Sequence, residues 1–111
     1  MHNNKNQPSQ ECLIAQETCR NIMQKWALSD DEQAQLLPEI NHPEFLDSAS
    51  YLLNIHAAVA SLFSNPNNTY GFVKMVNNDP TFNGTTPLTH MMDKQMGGMK
   101  DVLDYLQKLA L

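Results

Sequence analysis

The sequence predicts an all-α fold: one small single-domain bundle of five to six helices. Three observations lead there. Apolar residues recur at spacings of three and four along most of the 111 residues, which is the signature of amphipathic helices. Helix-start residues stand directly before such runs, at Ser9, Ser29, Pro43 and Thr86-Pro87. Finally, no segment sustains the period-two alternation of a half-buried strand, so no sheet is expected. The length fits one domain with a core of its own and little stability in reserve.

The residues before Gln10 are polar and Asn-rich, so positions 1–9 read as a frayed N-terminus and 10–111 as the helical domain. Ser9 caps a first helix over about 10–27, where Cys12, Ala15, Cys19, Ile22 and Trp26 form one apolar stripe. Such a stripe can pack inside the fold or against a second copy. Two heptads are short for a coiled coil, which favours the inside. Ser29-Asp30-Asp31-Glu32 matches a capping box and opens a short helix that Pro38 ends. Pro43 starts a long helix over about 44–64. Phe45, Leu46, Ala49, Leu52, Leu53, Ile55, Ala58, Val59, Leu62 and Phe63 give it a wide apolar face, as expected of a central buried helix.

Asn65-Pro66-Asn67-Asn68 reads as a turn. A helix over about 70–77, capped by Asn68 or Thr69, follows and carries Phe72, Val73, Met75 and Val76. After a loop over 78–86, Thr86 and Pro87 stand as N-cap and first residue of a helix reaching about Asp93. The last helix runs from about Met96 or Gly98 to Leu109. Val102, Leu103, Leu106 and Leu109 are its inner face, and Asp104 with Lys108 is an outer i,i+4 pair.

Composition narrows the function classes. A formal charge of −5 with seven scattered Lys and Arg residues argues against a DNA-binding surface, because phosphate contacts need clustered cations. No apolar run approaches the roughly 20 residues of a membrane span. The start has neither the basic residues nor the apolar core of a signal peptide. Cys12 and Cys19 lie about 10 Å apart along one helix face, at about 1.5 Å rise per residue. A disulfide needs Cα atoms within about 7 Å. Both therefore read as reduced thiols, consistent with a cytoplasmic protein.

No catalytic constellation emerges. His2, His42, His56 and His90 are dispersed. His90 and Asp93 share a helix face, but a metal site needs three or four ligands and nothing nearby supplies the rest. His56, mid-helix, reads as a buried side chain hydrogen-bonded to a neighbour. Asp30, Asp31 and Glu32 complement a helix dipole. Gly97-Gly98 is a pair without the pattern of a phosphate loop, and reads as a kink or a helix start. No enzyme activity, metal or cofactor is expected.

The last third is more specific. The loop Asp79-Pro80-Thr81-Phe82-Asn83-Gly84-Thr85-Thr86-Pro87-Leu88 is stiffened by two prolines, and Gly84 admits backbone angles closed to other residues. Phe82 either docks into the chain's own core or stands out as an anchor for a partner, where a rigid loop lowers the entropy cost of binding. Met91, Met92, Met96 and Met99 crowd the next segment. Their flexible thioether side chains suit both core packing and an adaptable interface.

These residues bring a resemblance into view. The series Leu28-Ser29-Asp30-Asp31-Glu32, Leu36-Leu37, Tyr51 to Val59, Leu62-Phe63, Asn78 to Leu88 and Gly98-Met99-Lys100-Asp101-Val102-Leu103-Asp104-Tyr105-Leu106 resembles the Xre/MbcA/ParS antitoxin family. The likeness runs from about residue 26 to the end, and 65–111 resembles the family's toxin-binding region. Its most specific parts are an Asn-Pro-x-Phe-Gly-Gly-x-x-Pro-Leu type loop and a Gly-Leu-x-x-Val-x-x-Tyr-Leu type final helix.

The resemblance implies an all-α antitoxin that covers the active-site entrance of a RES-domain toxin, an enzyme that consumes NAD. By position it implies a toxin-binding surface including Phe82, Asn83, Gly84, Pro87, Gly97, Gly98, Met99, Val102 and Tyr105. The family's DNA-reading helix-turn-helix has no room here, because only Pro38 to Phe45 occupy that interval and none of them is Lys or Arg. Asn83-Gly84 stands where the family has a glycine pair, and asparagine tolerates left-handed angles better than most residues. Two other readings are open. One is a self-associating protein without a toxin, dimerising through Cys12, Cys19, Ile22 and Trp26. The other is a transcriptional regulator, against which the charge speaks.

Overall fold

The computed structural model describes residues 7–111 and shows a helical domain with six α-helices among them. These are α1 (Gln10–Lys25), α2 (Asp30–Leu36), α3 (Phe45–Leu62), α4 (Pro66–Gly71), α5 (Pro87–Lys94) and α6 (Met96–Leu109), with a 3-10 turn over Phe72–Lys74 after α4. No strand occurs among the described residues. Residues 1–6 of the segment read as frayed, His2 and Lys5 with them, lie outside the described residues.

The caps act as their side-chain chemistry dictates. The Ser9 hydroxyl accepts from the Cys12 N–H at 3.2 Å, which makes this residue the fixed start of α1. Both halves of the capping box form: Ser29 accepts from the Glu32 N–H at 3.1 Å, and the Glu32 carboxylate accepts from the Ser29 N–H at 2.8 Å. Thr86 accepts from the Thr89 N–H at 3.1 Å, with Pro87 in the first turn. Pro43 lies in the turn before α3 rather than inside it. There the His42 ring nitrogen accepts from the Glu44 N–H at 3.0 Å.

α3 is the central helix and packs most extensively on α6, then on α1, while α5 packs on α6. Its Phe45, Ser48, Ala49, Leu52, Ile55 and Val59 are buried, whereas Leu46 leaves the core at 47% exposure. Cys19 donates weakly to the Ala49 carbonyl and Lys25 acts on His56, so α1 and α3 run side by side in the same direction. The α1 stripe is used here: Cys19, Ile22 and Trp26 are buried against the chain's own core, and Cys12 is half-buried. A dimer through these four residues is therefore corrected, because three of them have no surface to offer. What α1 leaves outside is Leu13 and Ile14, about half exposed. Burial raises the Cys19 thiol to about 11, so it is unreactive; both cysteines are free.

Three further expectations are corrected. The helix expected over 70–77 begins at Pro66, because Asn65 is its cap: the Asn65 side chain accepts from the Asn67 N–H at 2.9 Å and proline fills the first position. The helix ends before Met75, whose backbone is extended, and Met75 and Val76 are exposed. Asp104 pairs with Lys100 at 2.7 Å, one turn N-terminal, rather than with Lys108. Leu109 is half exposed, because the bundle ends below the last turn of α6.

α1 closes with a left-handed residue. The Leu28 N–H bonds the Met23 carbonyl at 3.0 Å and the Ala27 N–H bonds the Gln24 carbonyl at 2.9 Å, the pattern of a Schellman cap. Ala27 sits at φ 62° within it, where glycine has no steric cost. Ala27→Gly is expected to stabilise the chain by about 1 kcal/mol, read as a higher urea midpoint at unchanged slope.

Candidate functional site

The loop between the 3-10 turn and α5 is a closed structure built from short-range hydrogen bonds. At its base the Asn77 N–H donates to the Thr85 carbonyl at 2.9 Å. The Asn77 side chain accepts from the Asp79 N–H at 2.9 Å, and the Asp79 carboxylate accepts from the Thr81 N–H at 2.9 Å. Asp79 and Pro80 thereby open one helical turn, in which the Phe82 and Asn83 N–H groups both reach the Asp79 carbonyl. Asp79 is held below the usual carboxylate range, first by the Thr81 hydrogen bonds and then by the Lys108 ammonium. Asn83 at φ 51° and Gly84 at φ 79° reverse the chain. The Thr85 N–H and hydroxyl then both donate to the Phe82 carbonyl, at 2.9 and 2.7 Å.

Phe82 is the pin of this loop. It is 1% exposed, with its ring edge-on to Tyr105 at 5.1 Å between centroids and to His90 at 5.5 Å. Tyr105 stacks on Phe72, and Phe72 lies against Phe63. An unbroken run of aromatic rings therefore ties the loop to α3, α5 and α6. His90 is fixed in turn by Asp101 of α6, Nε2 to Oδ2 at 2.8 Å. This partner answers the His90 and Asp93 question: His90 is engaged across α5 and α6 rather than along its own helix. Among the described residues no three His, Cys, Asp or Glu side chains gather as a metal cluster.

The glycine pair lies in the first turn of α6, and its two members differ. A Cβ on Gly98 would stand 2.5 Å from the His90 carbonyl oxygen and 2.9 Å from the Met91 Cα, so α6 and α5 touch backbone to backbone there. A Cβ on Gly97 would meet nothing within 4 Å. Gly97 instead lines a groove of about 580 Å³ together with Tyr51, Asn54, Met96 and Lys100. Gln95 makes this approach possible. It is the link between α5 and α6, at φ 56° and ψ −131°, a region L residues rarely adopt.

The residues proposed from sequence as partner-binding thus separate into two groups. Phe82, Pro87, Gly98, Met99 and Val102 are buried and shape the surface from beneath. Asn83, Gly84 and Gly97 are exposed, and Tyr105 is half-buried. The methionines divide similarly, with Met91 and Met99 buried and Met92 and Met96 half-buried. Sequence reasoning missed Met75 at 50% and Val76 at 67% exposure, because it placed them on the apolar face of a helix. They lead into the loop base, next to the Asn77–Thr85 hydrogen bond, and form an exposed apolar pair there. The signal available was Asn65-Pro66, which starts α4 early enough for it to end before them.

No helix among the described residues is long and apolar enough to cross a membrane. Compared with family models, curated proteins and solved structures, the chain matches none of them.

Proposed function

We propose that this chain is a protein-binding module of the antitoxin type, which neutralises a RES-type, NAD-consuming toxin by covering its active-site entrance. The observation that supports the reading is the loop over 77–85: internally bonded, pinned by Phe82, offering Asn83-Gly84 at its tip, with the exposed Met75 and Val76 leading into its base. A loop ordered before binding loses little entropy on docking, and an exposed methionine–valine pair supplies apolar area for a partner to cover. The family resemblance of the loop and the final helix names the kind of partner.

In this reading the buried members of the set act through shape. Exposed Met75, Val76, Asn83 and Gly84 make the contact. Val76→Asp changes an exposed side chain, so stability is expected to stay within about 0.5 kcal/mol. Placing a carboxylate in a covered apolar contact costs far more, and capture of the toxin is expected to fall at least tenfold, a loss of about 1.4 kcal/mol or more. Titration of the purified variant against the toxin reads this directly. Equal affinity of the two proteins would remove Val76 from the interface.

A further inference from the structure

His56 sits where three helices meet. It belongs to the fourth turn of α3, with the end of α1 on one side and α4 on the other. Its ring lies nearly parallel to that of Tyr70 in α4, with centroids 6.0 Å apart and an interplanar angle of 11°. The Lys25 ammonium, from the last turn of α1, lies 5.2 Å from the centroid of the same Tyr70 ring. The sequence reading of His56 as a hydrogen-bonded core residue is corrected here, because its Nδ1 is buried and has no hydrogen-bond partner in the protein.

This arrangement tolerates a neutral imidazole and resists a charged one. Protonation would put an N–H and a positive charge on Nδ1, where no acceptor waits. It would also set a second cation beside Lys25 against one tyrosine ring. The groups that act on the ring from its neighbours are Lys25 of α1 and Tyr70 of α4. Burial first and Lys25 second lower the His56 pKa from its ordinary value.

α4 is the shortest of the six helices. Six residues cannot sustain a helix by propensity. Its first turn is tied down by the Thr69 hydroxyl, which lies 3.3 Å from the Phe63 carbonyl and 3.2 Å from the Asn65 carbonyl. Its far end continues into the buried Phe72 and Val73, and Tyr70 is the side chain by which it faces His56 and Lys25.

We propose that His56 is a proton-sensitive latch, which holds the Tyr70 face of α4 against α1 and α3 while neutral and releases it when protonated. The folded arrangement favours the neutral ring. The closed state is therefore fully stable above the ring's ordinary value of 6.5 and loses stability as pH falls below it toward the lowered folded value. The inference stands on the junction alone and does not require a toxin.

Proton NMR of the whole chain between pH 8 and pH 4.5 tests it. The Lys25 ε-methylene protons, lying over the Tyr70 ring, are shifted upfield in the closed state. The expected result is loss of this shift along the His56 titration curve, with amide changes over 66–74 exceeding those in α6. His56→Gln, which cannot gain the charge, is expected to keep the upfield shift throughout. Lys25 is exposed, so Lys25→Met leaves the fold intact. It is expected to return the His56 titration toward its ordinary range and to shrink the changes over 66–74. An upfield shift in the native chain that survives full protonation of His56 would overturn the latch. So would equal loss of that shift in His56→Gln, or an unmoved His56 titration in Lys25→Met.

Discussion

Phe82→Ala is expected to cost about 3–5 kcal/mol of stability, the usual loss when a fully buried phenylalanine ring is removed. The ring is 1% exposed and touches both Tyr105 and His90, so its removal leaves a cavity at the junction of the loop, α5 and α6. Small domains are stable by about 5–15 kcal/mol, and this one change takes away a large part of that. Urea unfolding followed by circular dichroism reads the effect as a lower midpoint at unchanged slope. A loss below about 1 kcal/mol, at the scale of a surface change, would show that Phe82 is not the pin. This outcome also separates fold from recognition. Phe82→Ala is expected to weaken partner binding only by unfastening the loop, whereas Val76→Asp acts on the contact itself.

The second large effect comes from the glycine pair and is a contrast between neighbours. Gly98→Ala forces a methyl group to within 2.5 Å of the His90 carbonyl oxygen. Backbone cannot yield as a flexible side chain does, so α5 and α6 must part, at a cost of about 2–3 kcal/mol, the upper range for overpacking. Gly97→Ala meets open space in the same helical turn and is expected to gain about 0.5–1 kcal/mol from helix propensity alone. Thermal unfolding of the two variants side by side reads opposite signs. Equal and small effects would mean that the helices do not touch at Gly98. Because Gly97 lines the groove beside Tyr51 and Lys100, its alanine variant also tests whether that groove belongs to the partner surface.

The helical architecture was legible in the sequence because its punctuation is strong. Ser9, Ser29-Glu32 and Thr86-Pro87 each cap the helix they announce. The wide apolar face of 44–64 correctly marks the helix at the centre. The same rule that explains Thr86-Pro87 also applies to Asn65-Pro66. Reading that pair as a turn displaced α4 by four residues and put Met75 and Val76 on the wrong side of the surface.

The candidate site was legible as a loop, but not in its inner and outer faces. Whether Phe82 points in or out depends on Tyr105 and His90, more than 20 and about 8 residues further along the chain. Spacing within the loop carries no information on that. The unlike roles of Gly97 and Gly98 follow from the crossing of α5 and α6, and Gln95 allows that crossing by taking a conformation no local preference would select. The exposed Leu13 and Ile14 show the complementary limit: the α1 stripe predicts which side chains face inward, not how far the neighbouring helix extends to cover the rest.

The central claim is that this chain binds and silences an NAD-consuming enzyme. Affinity capture of the tagged, full chain from its native host, with the captured proteins identified by mass spectrometry, tests it most directly. The account predicts stoichiometric recovery of a RES-type protein that consumes NAD once separated from this chain and stops when the chain is returned. Recovery of the chain's own copies alone would contradict it, and would leave a self-associating module whose contact lies elsewhere than on Cys19, Ile22 and Trp26.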